Sequence, residues 1–290
     1  MITKQKLSAY IKLTRLNRPI GIYLLLWPTL WALFLVGEGY PDYAVVLVFV
    51  AGVVLMRSAG CAINDYADRD IDPHVARTKD RPLVTQEVVP LEALIIFVLL
   101  SVVAFLLVVF FLNELTLWFS LVAVALAVTY PFTKRLHYLP QVHLGLAFAW
   151  AVPMVFVALT NNLPTPWGWL LFVATVMWTT AYDTIYGMVD RNDDIRIGVK
   201  STAILFGSAD RLIIGVLQGF VVFCFISIGT QNDLRYWYYI SLIGVIGLFL
   251  YQQYLIYYRD PEECFRAFLN NNYVGLIIFL GIVASFWMPF

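Results

Sequence analysis

YAVVLVFVAGVVLMRSAGCAINDYADRDID, residues 43–72, runs from a long apolar stretch straight into a group of carboxylates. A second stretch, WGWLLFVATVMWTTAYDTIYGMVDRNDD at residues 167–194, repeats the arrangement and ends on Tyr186, Asp190, Asp193 and Asp194. Carboxylates beside a bilayer are costly unless positive charge compensates them. Two such clusters therefore suggest a site for divalent metal and phosphate at a membrane surface.

Composition supports the membrane reading. With 61% hydrophobic and 13% charged residues, and a mean hydropathy of +0.78, the chain cannot be wrapped in the polar skin of a soluble globule. The sequence predicts an all-α, polytopic membrane protein with one domain over residues 1–290. A helix needs about 20 apolar residues to cross the hydrocarbon. Nine transmembrane helices are expected, at 19–36, 43–61, 91–112, 116–130, 140–159, 167–187, 212–229, 237–256 and 273–288, the fourth reading short.

Lys and Arg are held back on the cytoplasmic side during insertion. With the N-terminus cytoplasmic, the inner segments and adjoining helix ends, Arg57 included, collect the basic residues, and the outer loops keep only Arg235. Both acidic clusters then follow inward-running spans, the second and the sixth. Four helices separate them, which suggests a parallel pseudo-repeat presenting equivalent loops to one cavity. The N-terminus is basic and then apolar, like a signal peptide, but no small-residue cleavage site follows, so it reads as an uncleaved first span. Leu7, Tyr10, Ile11 and Thr14 recur at helical spacing and suggest a short interfacial helix, with a plain basic tail as the alternative. Cys61, Cys224 and Cys264 lie far apart and indicate neither a zinc site nor a disulfide framework.

If the second helix continues past the hydrocarbon, Asn64, Asp68 and Asp72 stand on one face, roughly 12 Å from first to last. Oxygen ligands in a row suit hard cations. Mg²⁺ takes one or two carboxylates with waters and substrate phosphates, so one Asp-rich helix needs an opposing ligand set. Asp190 and Asp194 supply it, with Tyr186 and Asp183 earlier on the same helix. A solvated acidic loop is the plain alternative for either cluster; it fits poorly with two clusters at matching helix ends in a chain this poor in charge. Basic residues lie beside both: Arg69, Arg77, Lys79 and Arg81 after the first, Arg191, Arg196 and Lys200 after the second, and Lys134 and Arg135 between the fourth and fifth spans. Arg offers two-point contact to phosphate and Lys a point charge. Acid and base together describe a diphosphate clamp.

The elements NDxxDxxxD at 64–72, YxxxK from Tyr130 to Lys134 and DxxxD from Asp190 to Asp194 together resemble the UbiA superfamily of intramembrane prenyltransferases. RLNRPIGIYLLLWPTLWAL, MRSAGCAINDYADRDID, YPFTKR, AYDTIYGMVDRNDDIRIGVKSTAILFG and FLNNNYVGL extend the likeness along the chain and look like the branch that prenylates 4-hydroxybenzoate in bacterial ubiquinone synthesis. The resemblance implies nine helices around a central cavity, with the two Asp motifs facing each other across Mg²⁺ and a polyprenyl diphosphate. By position, Asn64, Asp68, Asp72, Asp190 and Asp194 take the metal role, and Asp68, Asp190 and Lys134 the catalytic one. Tyr130 and Lys134 match the family's contacts to the diphosphate. Arg135, then Arg77 and Arg15, are candidates for the acceptor's carboxylate, and Arg69, Lys200, Tyr186 and Asp183 complete the substrate-contacting set. Asp70 departs from the pattern and points away from the metal, so it is given no role.

The implied reaction ionises the allylic diphosphate and lets the electron-rich ring attack at carbon 3, with Asp183, Asp65 or the diphosphate taking the ring proton. The implied surroundings are the bacterial inner membrane with the site on its cytoplasmic side; no nucleic acid is involved. Trp27, Trp31, Trp118, Phe148, Trp150 and Trp178 either line the cavity or, individually, serve in packing and interfacial belts. GVKST at 198–202 lacks the glycines of a phosphate-binding loop and is rejected as one. His74, His137 and His143 have no ligand spacing, and the NNNY run at 270–273 reads as the cap of the last helix. Another quinone precursor or haem is the runner-up acceptor. A divalent cation transporter is the competing class, but a transport pathway places acids near the midplane and avoids bases.

Overall fold

A computed structural model describes residues 4–288, and every regular element among them is helical. The helices are α1 (Lys4–Leu13), α2 (Ile20–Val36), α3 (Tyr43–Asp68), α4 (Pro90–Phe111), α5 (Glu114–Leu136), α6 (Pro140–Ala149), α7 (Ala151–Thr160), α8 (Pro166–Ile197), α9 (Thr202–Phe206), α10 (Asp210–Gln231), α11 (Tyr236–Leu255) and α12 (Pro261–Trp287). Short 3-10 turns occupy Asp72–His74 and Gly207–Ala209. Seven helical stretches are long and apolar enough to cross a membrane, counting α6 with α7 and α9 with α10, and the shorter α2 is also apolar.

The local sequence accounts for the boundaries. Pro153 lacks an N–H and its ring crowds the carbonyl four residues back. The fifth apolar stretch accordingly breaks after Ala149 into α6 and α7. The fourth span is longer than its apolar run, because α5 carries Pro131 inside it and continues through Lys134 and Arg135. α8 starts at Thr165, whose hydroxyl accepts from the Gly168 N–H, and stops at Gly198, whose φ of 73° favours glycine. GVKST is thus a helix end.

Two expectations need correction. The second span does not carry Asp72 on its face: α3 ends at Asp68, and Asp72 sits on the following 3-10 turn. The last span opens at Pro261, twelve residues ahead of the expected start, with the Asp260 carboxylate accepting from the Glu262 and Glu263 N–H groups. The asparagines therefore lie mid-helix rather than at a cap. Asn272 accepts from the Trp27 indole at 2.9 Å, Asn271 from Trp178 at 3.0 Å and Asn270 from Gln252 at 2.9 Å. A buried polar group needs a partner, and these indoles and amides satisfy one another between helices.

Trp31 and Trp178 are fully buried, 5.1 Å apart at their ring centres, and belong to the packing; Trp118 is exposed. The expected interfacial helix forms as α1. Its buried face is Ala9 and Leu13, packed with Ala62 and Leu83, while Leu7 and Ile11 face outward.

Candidate active site

α3, α5, α6 and α8 bring one polar end to a common cavity, which the segment after α3 covers. From α3 come Asn64 and Asp68, from the covering segment Asp72, Arg77 and Arg81, and from α5 Tyr130 and Lys134. α8 contributes Asp183, Tyr186, Asp190 and Asp194, spaced three and four residues apart and hence on one face. Lys200 and Gln141 close the ring. The two acidic motifs, more than a hundred residues apart in sequence, thus face each other.

Each acid is met by a base. Lys134 Nζ lies 2.5 Å from Asp68 Oδ2, which also accepts from the Asn64 amide at 3.1 Å; Asp68 Oδ1 is buried without a hydrogen-bond partner. Arg81 bridges Asp72 at 2.7 Å and Asp65 at 3.0 Å, and so fixes the turn that carries Asp72. Arg77 Nε donates to both Asp190 oxygens at 3.1 Å, and its guanidinium stands 4.5 Å from the centre of the Tyr186 ring. The Ala76 N–H donates to Asp193 at 3.2 Å, a further clasp between the first motif's loop and α8. Burial pushes the Asp72 carboxyl up to about 6; Arg81 acts against the shift, and Asp68 and Asp65 add to it. Burial disfavours the Arg81 charge, but Asp65 and Asp72 more than offset it and hold its pKa above the usual value.

Four candidates lie elsewhere. Arg15 grips Asp65 at 2.9 and 3.0 Å, behind the first motif. Asp65 is clamped between Arg15 and Arg81 and does not line the cavity. Arg69 stacks on Tyr66 and faces Asp70, and Arg135 donates to the Ala67 carbonyl, tying α5 to the end of α3. Gln141 was not among the expected site residues, and Arg81 was named only among the bases beside the first motif, with no role of its own. The clue to Arg81 was its alternation with Arg77 and Lys79.

Arg57 is the more consequential omission. It lies on α3 two turns before Asn64, 5.7 Å from the Phe148 ring centre, in space that Gly21 leaves open: a Cβ at Gly21 would strike the guanidinium. Its Nε is buried without a hydrogen-bond partner, and among the described residues no carboxylate lies within ion-pair distance of it. Arg57 and Arg77 are the cations acting on Asp183. An unpaired cation inside a membrane bundle marks a ligand site.

The donor set suits a hard divalent cation, being built of carboxylate and amide oxygens. Among the described residues no three acids, histidines or cysteines converge into a closed cage. The unpartnered Asp68 Oδ1 is free to accept a further ligand.

Arg191, next to Asp190, turns away from the cavity and joins Arg259 on Asp210, which is fully buried. This triad locks the end of α8 to α10 and to the turn between α11 and α12. Removing the shared acid leaves two partly buried cations opposed, so Asp210→Ala is expected to cost about 3 kcal/mol, the low end for a buried pair because Arg259 is partly solvated. Thermal unfolding in detergent is the check, with a drop in Tm as the expected result.

A bundle of membrane-length helices with paired acids and bases at one end defines a membrane-embedded protein with a charged cavity at the ends of its helices. The model of the UbiA prenyltransferase family matches residues 25–282. The chain is 56% identical over 282 residues to a 4-hydroxybenzoate octaprenyltransferase of Saccharophagus degradans, covering 97% of this chain and 94% of that one. It is also 56% identical over 283 residues to the enzyme of that name from Nitrosococcus oceani, covering 98% and 99%. The apo structure of a UbiA homolog from Aeropyrum pernix K1 aligns with a TM-score of 0.80 at 28% identity, covering 91% of this chain and 97% of that one. A homolog from Archaeoglobus fulgidus, solved with GPP and Mg²⁺, shares the fold with a TM-score of 0.72 at 17% identity, covering 95% and 99%. The chain belongs to the UbiA prenyltransferase family. It is a multi-pass membrane protein.

Proposed function

We propose that the protein transfers a polyprenyl group from polyprenyl diphosphate to carbon 3 of 4-hydroxybenzoate, in ubiquinone biosynthesis. The observation that carries this reading is one cavity holding two opposed acidic motifs and the bases Lys134, Arg77 and Arg81, with the unpaired cation Arg57 two turns before Asn64 on α3. Relatives 56% identical over nearly the whole chain carry the name of that activity.

Asn64, Asp68 and Asp72 on one side, and Asp190 and Asp194 on the other, would hold Mg²⁺. When bound, it supplies Lewis-acid stabilisation of the leaving diphosphate. Lys134 and Arg77 add fixed positive charge where negative charge develops, and Tyr130 offers a phenolic donor. The allylic C–O bond breaks, the diphosphate leaves with the electron pair, and ring carbon 3 attacks the prenyl carbon. The ring hydroxyl activates the carbon ortho to it. Arg57 receives the carboxylate, in a buried position where a charge-assisted hydrogen bond is strong. The ring proton passes to Asp183 or to the departing diphosphate; Asp65 is occupied by two arginines.

The finer topology follows the same reading. Adding α2 and the long α8 to the seven apolar stretches makes nine crossings, and the basic inner loops put the N-terminus and the site on the cytoplasmic side. The membrane is the bacterial inner membrane, and the fold acts as a single intramembrane unit.

Tritium at both of the equivalent carbons 3 and 5 of 4-hydroxybenzoate tests the chemistry in proteoliposomes. One tritium should be released to water for each prenylated product formed. Product that retains all the label would place the new bond elsewhere and reject this reading.

A further inference from the structure

Four charges of alternating sign form a row from the end of α1 to the charged cavity: Arg15, Asp65, Arg81 and Asp72. Arg15 Nη2 donates to both Asp65 oxygens at 2.9 and 3.0 Å. One nitrogen of Arg81, Nη1, stands 3.0 Å from Asp65 Oδ1 and 2.7 Å from Asp72 Oδ2. Arg81 and Asp72 line the cavity, whereas Arg15 and Asp65 do not. Asp65 is 1% exposed, so water cannot take the place of either arginine.

Arg15 is fixed from behind. Lys6 and Tyr10 of α1 reach Glu92 at 2.6 and 3.0 Å, and Leu13 is buried in one cluster with Ala62 and Leu83. The Arg15 backbone has a φ of 58°, a left-handed conformation that costs a residue with a side chain about 1 kcal/mol. Its Nη1 donates to the Lys12 carbonyl at 2.7 Å, so the guanidinium is held between the end of α1 and Asp65.

We propose that Arg15 and Asp65 set how tightly the cavity holds its divalent cation, by dividing Arg81 between Asp65 and Asp72. This rests on the prenyl-transfer reading above, in which Asp72 is a metal ligand. A metal ion and Arg81 compete for the Asp72 oxygens. Asp65 draws the shared nitrogen off Asp72 and so favours the metal; Arg15 satisfies part of the Asp65 charge and limits that pull. Both are positioning residues, since neither reaches the cavity. Without Asp65, Arg81 turns wholly onto Asp72 and the metal is held less tightly. Without Arg15, the full Asp65 charge acts on Arg81 and Asp72 is freer to ligate.

Two variants test this while keeping each remaining charge of the row paired: Arg15→Gln leaves Asp65 with Arg81, and Arg15→Gln with Asp65→Asn leaves Arg81 with Asp72. The measurement is equilibrium binding of labelled geranyl S-thiolodiphosphate, a donor analogue that ionises poorly, to the full-length protein in detergent over a range of Mg²⁺ concentrations. The Mg²⁺ midpoint should fall about threefold in the single variant and rise about tenfold in the double one. A through-space effect of charge alone predicts a fall in the single variant and no change in the double one, whose net charge is that of the wild type. General loosening of the site predicts a rise in both. Any pattern other than a fall followed by a rise overturns the proposal. Should the double variant fail to fold, Asp65→Asn takes its place, and a midpoint within twofold of wild type overturns the proposal. Wild-type protein that binds the analogue independently of Mg²⁺, or not at all, would overturn the metal and diphosphate reading of the cavity, and the proposal with it.

Discussion

Asp68→Asn is expected to lower prenyl transfer by at least about a thousandfold, some 4 kcal/mol of transition-state stabilisation, while the protein still inserts and folds. The amide keeps the shape of the carboxylate and its contact with Asn64, but removes the charge that a metal bound to diphosphate needs. Asp68 is 2% exposed, so water cannot replace it; its partner Lys134 is 22% exposed and can be solvated once released. Stability should therefore change far less than rate. The separation is measurable: kcat in proteoliposomes falls by orders of magnitude, and Tm in detergent moves by a few degrees. Near-normal turnover would remove Asp68 from the metal site.

Arg57→Met should act on the acceptor. The methionine fills the space beside Gly21 and Phe148 without the charge, and a buried charge-assisted hydrogen bond is worth up to about 3 kcal/mol, so kcat/KM for 4-hydroxybenzoate should fall roughly a hundredfold. KM for the donor should stay near wild type. The informative comparison is 4-hydroxybenzamide, which lacks the carboxylate charge: wild type should discriminate strongly against it, and Arg57→Met should not. Retained preference for the acid would place the carboxylate on another cation.

The sequence made the two apolar-to-acidic junctions legible because charge is rare in this chain and its placement stands out. The meeting of the two motifs was also readable, from their matching positions after the second and sixth spans, and α8 carries its acids on one face as the spacing implied. Asp72 was placed wrongly because helix periodicity was extended past Asp68. The turn that ends the helix there is secured by Arg81, nine residues further on, a tertiary bridge that no local pattern shows.

Arg57 was counted among the charges that hold the inner side. On an apolar span, an arginine near the cytoplasmic end is indistinguishable from a topology signal until the packing shows that nothing neutralises it. The reverse error touched Arg15 and Arg135: their positions suited the acceptor, but the fold assigns one to Asp65 and the other to the Ala67 carbonyl. The asparagines at 270–272 masked the first half of α12, since polar residues interrupt an apolar count even when buried indoles and amides bond them. A cation pathway is poorly served by these acids, because Asp68, Asp72 and Asp190 each face a fixed base.

The opposed acidic motifs are expected to drive prenyl transfer to an aromatic acid. Membranes containing the protein, incubated with carbon-labelled 4-hydroxybenzoate and a polyprenyl diphosphate, test it most directly. Label should move into a lipid-soluble product with Mg²⁺ and stay in water with EDTA. Product formed equally in EDTA would contradict the metal clamp, and no product from folded protein with Mg²⁺ would contradict the assignment of the acceptor.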